Sequence, residues 1–206
     1  MAITDAFTGT NGTGLAAYSA NWAYVRGGTT NFQIQTNAVA CTNGLGAHLF
    51  ARRTETTFPT DHYAQCVLSV ASDDGSVAMG VAVRCGAAAS GNGYGFFAAG
   101  GDNYVIELAG GSETTLGNGG AVIGVGSVMK FTATGTTLAP LDDGSATNTP
   151  GNQTDATFAT GVPGISAYND PQATSVCRID SFECSDVSAG GSSLVAIAQR
   201  SYRGHR

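Results

Sequence analysis

Three rings fall within one short stretch, Tyr18, Trp22 and Tyr24, and Tyr94 and Tyr168 supply two more further along the chain. Flat apolar rings carrying a polar edge are the side chains that stack on sugars, so these five are the candidate glycan-binding residues. For Trp22 there is a competing structural role: an opening loop that folds Leu15 and Trp22 over one end of a sandwich would bury the sole tryptophan. Acid–base chemistry has less to work with. Glycoside hydrolysis needs two suitably separated carboxyl groups, whereas Glu107 stands alone between Ile106 and Leu108, and Glu183 has Asp180 nearby but no second glutamate at strand spacing. No catalytic residue is assigned, and the chain is expected not to be an enzyme. His48, His62 and His205 are scattered, no CxxC or HExxH occurs, and the glycines form no phosphate-binding strand-to-helix turn. No cofactor is therefore required. Calcium is an optional ligand, because Asp142 and Asp143 could join Asp102 or a loop carbonyl around it; a solvated turn is the simpler role for the aspartate pair.

The elements that must position these residues read as strands. In His62 to Val70 and again in Val77 to Cys85, alternate residues form one apolar row while Gln65, Ser69, Gly80 and Arg84 fall on the other side. Tyr104, Ile106 and Leu108 repeat the pattern, and Gly86, Gly91, Gly93, Gly100 and Gly101 are read as the turns between. Earlier, Phe32-Ile34 and Ala47-Leu49-Ala51 alternate with polar or outward residues, separated by a turn signal at Asn43-Gly44. Later, Glu113 to Gly126 is poor in apolar residues and predicts only short strands. Val128 to Thr134 predicts a hairpin that turns at Gly135 and ends at Asp142-Asp143-Gly144. Ile165 to Tyr168 and Val176 to Cys184 are the last strands expected.

Composition sets the class. Thirty glycines and nine Lys plus Arg in 206 residues suit many tight turns and argue against helical bundles. Three of those cations, Arg200, Arg203 and Arg206, end the chain; the other six face fifteen Asp plus Glu, so the body carries a formal −9 and would repel nucleic acid. No apolar run approaches a membrane span, and Met1 to Asp5 lacks the pattern of a secretory signal. Membrane insertion is not expected. Cys66 and Cys85 sit in apolar rows, where a reduced thiol is an ordinary small core residue. One β-sandwich domain over residues 1–187 and a Gly/Ser linker with a short tail over 188–206 are expected. In that tail Leu194, Val195 and Ile197 can form an apolar anchor, with Arg200, Arg203 and Arg206 engaging carboxylates at an interface.

The order of short elements resembles the concanavalin-like jelly-roll superfamily, in particular the laminin-G-like domains of phage structural and bacterial surface proteins. The resemblance covers roughly residues 3–187. It lies in Asp5-Ala6-Phe7, the early Trp22, Asp61 to Gln65, Gly80 to Arg84, Tyr104 to Leu108, Gly126 to Gly135, Asp143-Gly144, Gly161 to Ile165 and Ile179 to Phe182. It implies an all-β fold: a two-sheet antiparallel jelly-roll sandwich whose end strands lie near each other. It also implies the function expected here, a structural protein of a larger assembly, most plausibly a phage capsid decoration or accessory virion protein. The partners would be other protein subunits or further copies of itself, and the location the virion surface. The alternative is a carbohydrate-binding module or adhesion domain, extracellular or at the cell surface, with a surface glycan as partner.

Overall fold

The computed structural model describes residues 2–42, 45–54, 58–71, 75–99, 101–119, 121–146, 149–173 and 176–187. The expected turn at Asn43-Gly44 and the whole tail from Leu194 to Arg206, with His205, lie outside the described residues. The strands are β1 (Ile3–Asp5), β2 (Trp22–Arg26), β3 (Phe32–Ile34), β4 (Val39–Cys41), β5 (Ala47–Arg53), β6 (His62–Val70), β7 (Val77–Cys85) and β8 (Gly93–Ala99). They continue with β9 (Asp102–Ala109), β10 (Ser112–Gly119), β11 (Val128–Thr134), β12 (Thr137–Asp142), β13 (Gln153–Thr154), β14 (Val162–Asn169) and β15 (Arg178–Asp186). A single turn of helix, α1 (Leu15–Tyr18), precedes β2.

These strands form a two-sheet antiparallel jelly-roll sandwich. One sheet runs β13-β12-β11-β6-β15-β4-β3, with β1 pairing the far part of β15; the other runs β10-β9-β8-β7-β14-β5-β2. The first and last strands are neighbours, Ile3 opposite Cys184 and Asp5 opposite Phe182. The shared core follows from the alternation: Ala64, Cys66 and Leu68 of β6 and Met129, Phe131 and Ala133 of β11 face Met79, Val81 and Val83 of β7 and Tyr94 and Phe96 of β8. All five cysteines are buried, and none is in a disulfide. Burial pushes the Cys41 and Cys85 thiols up to about 12, so they are packing groups and not thiolates.

Three features differ from the alternation pattern. The consecutive strands β6 and β7 lie in opposite sheets and pack face to face. Gly93 belongs to a strand, β8, and does not serve as a turn, and β10 spans eight residues where only short strands were expected. The second sheet curls so tightly that its outer face buries a core of its own, comprising Val25, Phe50, Phe97, Ile106 and Leu108.

The floor of that curl is small: Ala78, Gly80 and Ala82 on β7, Gly93 and Gly95 on β8, Gly164 and Ser166 on β14. Phe50 reaches across from β5, and a Cβ added to Gly95 would stand 2.8 Å from its ring. Ser166 donates to Val81 O at 3.1 Å or Phe96 O at 3.2 Å, bridging over β7 to β8. Glycine in these strands thus marks a close approach of side chain to backbone, and its low strand propensity is offset by packing.

Candidate functional site

The curl draws together residues from strands far apart in the sheet. At its mouth Tyr168 of β14 and Phe97 of β8 flank His48 of β5, with ring centroids 5.1 and 4.8 Å from the imidazole. Tyr104 of β9 stacks on Phe97 at 5.5 Å and 26°. Register places them: His48 is opposite Tyr168, and Phe97 is opposite Tyr104. The result is a continuous row, Tyr168–His48–Phe97–Tyr104, in which Phe97 is buried and the other three rings are half-buried. Asp102 lies at the far end and accepts from the Tyr104 hydroxyl at 3.3 Å.

Glu113 of β10 closes the curl beside this row. It pairs with the Arg26 guanidinium and accepts from His48 N at 3.0 Å, while its other oxygen meets His48 Nδ1 at 2.7 Å. Burial alone would raise the Glu113 carboxyl, but the hydrogen bonds from His48 and Arg26 outweigh it and hold the group below its ordinary value. Burial pushes the His48 imidazole down, more strongly than Glu113 draws it up. At neutral pH the site therefore presents a neutral imidazole clamped to an ionised carboxylate, which fixes the middle ring of the row.

The five rings singled out from the sequence do not share one surface. Trp22 is 2% exposed and donates from Nε1 to Asp5 Oδ2 at 2.9 Å. Tyr18 donates to Asp5 Oδ1 at 2.8 Å, and burial with that carboxylate pushes its hydroxyl up to about 12. Tyr24 stacks on Phe32 at 6.2 Å and accepts from Ala16 N at 3.1 Å. Tyr94 is wholly buried on the core face of β8. Only Tyr168 joins the row; Trp22 and Tyr94 are buried inside the sandwich, and Tyr18 and Tyr24 are half-buried away from it. His48, Phe97 and Tyr104 escaped the sequence reading because alternation assigns each to a face without saying which strands curl together.

The carboxylates singled out from the sequence stand apart among the described residues. Glu183, 1% exposed, accepts from the Tyr63 hydroxyl at 2.6 Å, and Glu107 lies on a strand of the other sheet. Asp143 Oδ1 caps Val128 N at 2.8 Å, and Asp102 belongs to the opposite sheet from Asp142. Among the described residues no three His, Cys, Asp or Glu side chains are gathered as a metal site, and no helix is long and apolar enough to cross a membrane.

No protein-family model and no curated protein matches the sequence. Solved structures do match. Carbohydrate-binding module CBM66 from Bacillus subtilis superposes with a TM-score of 0.59 at 14% identity, covering 78% of this chain and 92% of the module. The Ca2+/Man2-bound exoplasmic/lumenal domain of VIP36 gives 0.57 at 12% identity, over 93% of this chain and 89% of that one. The GH43 protein BlXynB from Bacillus licheniformis, as its K247S mutant, gives 0.60 at 16% identity over 89% of this chain, which spans only 39% of the enzyme's length. At such identities the likeness is one of fold: all three contain the jelly-roll sandwich.

Proposed function

We propose that the chain is a non-enzymatic glycan-binding domain, and that the row Tyr168–His48–Phe97–Tyr104 is where the glycan lies. The observation that carries this reading is the row itself, three half-buried rings lined up on a rigid sheet, with the His48–Glu113–Arg26 clamp locking its centre. Preformed rings lose little entropy on binding, and a flat apolar strip with polar edges suits the faces of successive sugar units. That a carbohydrate-binding module and a mannoside-bound lectin domain share the fold supports the class of ligand. An extracellular or surface location goes with this reading, as does calcium as an optional ligand.

Tyr168→Ala and Tyr104→Ala test it. Each is expected to weaken binding to the polysaccharides selected on a glycan array by roughly ten-fold or more, about 1.4 kcal/mol, with little change in Tm. Isothermal titration calorimetry on the full chain measures the first quantity and thermal denaturation the second. Undiminished affinity in both variants would dismiss the row as the binding surface.

Membership of a larger assembly rests on the family resemblance and the tail sequence, and the matched structures named above support the glycan reading instead. If Leu194, Val195 and Ile197 anchor the chain to a partner, deletion from Leu194 onward should leave the circular dichroism of the sandwich intact while abolishing any oligomer seen by light scattering. Replacing Arg200, Arg203 and Arg206 should have a smaller, salt-dependent effect. An oligomer that survives the deletion unchanged would remove the anchor.

A further inference from the structure

The opposite end of the sandwich holds a cleft of about 300 Å³ lined by Thr60, Asp61, Arg84, Gly135 and Thr136. Tyr168 is paired with Ala78 of β7, and Arg84 is six residues further along that strand, roughly 20 Å for extended backbone. The cleft is thus a surface separate from the ring row.

The chain goes to some length to place Arg84 there. Its φ is 51°, in the left-handed region that a residue with a long side chain rarely adopts, and the register of β7 against β14 shifts beside it. The opposing position has to be glycine, since a Cβ on Gly161 would stand 2.6 Å from Arg84 Cα. One wall is the segment after β13, which hangs from Tyr94. The Tyr94 hydroxyl donates to Asp155 Oδ1 at 2.5 Å and accepts from Phe158 N at 2.9 Å, and Asp155 N donates to Thr136 O at 3.0 Å. Burial, aided by Asp155, pushes that hydroxyl up to about 12, so it remains a donor throughout the physiological range.

Inside the cleft a buried cation stands beside a half-exposed anion. The Arg84 side chain is 2% exposed and that of Asp61 45%. Arg84 Nη1 donates to Phe158 O at 3.0 Å, Nε and Nη2 reach Thr60 O at 3.4 and 3.3 Å, and Nη2 is 3.6 Å from Asp61 Oδ1, beyond hydrogen-bond length. A guanidinium has five N–H donors, so its capacity is not filled by these long contacts. Asp61 Oδ1 takes the Gly135 N–H at 2.9 Å, and Oδ2 has no hydrogen bond to a described residue. An anion entering here would meet Asp61, and a cation would meet Arg84. A neutral ligand with two adjacent hydroxyls meets neither objection: one hydroxyl accepts from Arg84 while its neighbour donates to Asp61.

We propose that this cleft binds the terminal unit of a glycan through a vicinal diol held between Arg84 and Asp61. The assignment rests on the reading of the chain as a glycan binder, and adds to it a second site that takes a chain end. Its volume lies at the bottom of the ~300–1,000 Å³ range of small-molecule sites, suited to one sugar unit and not to a stretch of polymer.

Methyl glycosides of glucose, mannose, galactose, xylose, arabinose and fructose, titrated at millimolar concentrations into the 15N-labelled full chain, test the proposal. At least one is expected to shift the Gly135 amide and the Arg84 Nε–H resonances saturably. Asp61→Asn keeps an oxygen for the Gly135 N–H, so it should fold, and it should weaken that binding at least ten-fold. Tyr168→Ala should leave it unchanged. The proposal is overturned if no glycoside moves these resonances, if Asp61→Asn binds as well as the wild type, or if acetate or phosphate moves them while no sugar does. The two sites fail separately. Polysaccharide affinity lost in the Tyr104 and Tyr168 variants, with no glycoside response, would remove the cleft alone; the reverse pattern would remove the ring row alone.

Discussion

Trp22→Ala is expected to destabilise the fold by roughly 3–5 kcal/mol, whatever its effect on glycans. The indole is the post around which the N-terminal segment is arranged. It meets Phe182 edge-on at 5.0 Å and 70°, lies 5.9 Å from Phe7, and carries the Arg53 guanidinium 5.0 Å over its face. Its N–H is one of several donors converging on Asp5, with the Tyr18 hydroxyl at 2.8 Å, Phe7 N at 2.9 Å and Arg53 Nη1 at 3.5 Å. Truncation removes apolar contacts to both sheets and takes a donor from a carboxylate that is almost wholly buried, so a cavity cost and a polar cost add. Trp22→Phe should fall between, refilling part of the volume without restoring the N–H. As the chain has a single tryptophan, its fluorescence follows unfolding in the wild type, and circular dichroism in denaturant serves the variants. A Trp22→Ala protein with unchanged Tm and abolished glycan binding would reverse the assignment and return Trp22 to a ligand surface.

The strands were legible because each is a local pattern. Cys66, Leu68, Val81 and Val83 announce a buried row by period two alone, and the Gly135 turn announces the β11–β12 hairpin. What local patterns cannot carry is the pairing between strands distant in sequence. Phe50 reads as an outward residue of β5, and it becomes a core residue only because β14, β7 and β8 curl around it. A signal existed: Ala78, Gly80, Ala82, Gly93, Gly95, Gly164 and Ser166 are small, and all fall on the same alternate rows. Small residues on the outward side of several strands mark a face that something covers. The ring row depends on that curl, which is why Tyr168 alone was reached from sequence. The cleft was hidden for a different reason. Arg84 occupies an outward position by alternation, and only the bulge beside Gly161 turns it to the end of the sandwich.

Acid should unfold this protein through His62, with on the order of 3 kcal/mol of stability lost between pH 6.5 and pH 4. The imidazole is wholly buried between Pro59 and the backbone of Arg84. Nδ1 lies 2.7 Å from Pro59 O, a pure acceptor, so it carries the proton, and Nε2 accepts the Arg84 N–H at 3.1 Å. The Phe58 ring packs edge-on at 5.5 Å. Burial pushes His62 down to about 4 against the lesser upward pull of Pro59 O; the Arg84 charge adds to the fall and the Asp61 carboxylate opposes it, each by less again. Between that value and the ordinary 6.5 the unfolded chain binds a proton that the folded chain refuses. Stability is therefore complete above pH 6.5 and declines as pH falls toward 4. His48 and Glu113 lose stability in the same direction on acidification, so the contribution of His62 has to be isolated by substitution. His62→Gln cannot titrate and retains both a donor and an acceptor. It should be less stable than the wild type at pH 7.5 yet show a flatter decline between pH 6.5 and 4.5 in urea denaturation. Protonation at Nε2 would set a second donor against the Arg84 backbone N–H and a charge beside its guanidinium, so glycoside shifts at Gly135 and Arg84 should persist through that interval and fade only as the pH reaches about 4 in the wild type. Parallel stability curves for wild type and His62→Gln would show that the acid sensitivity arises elsewhere.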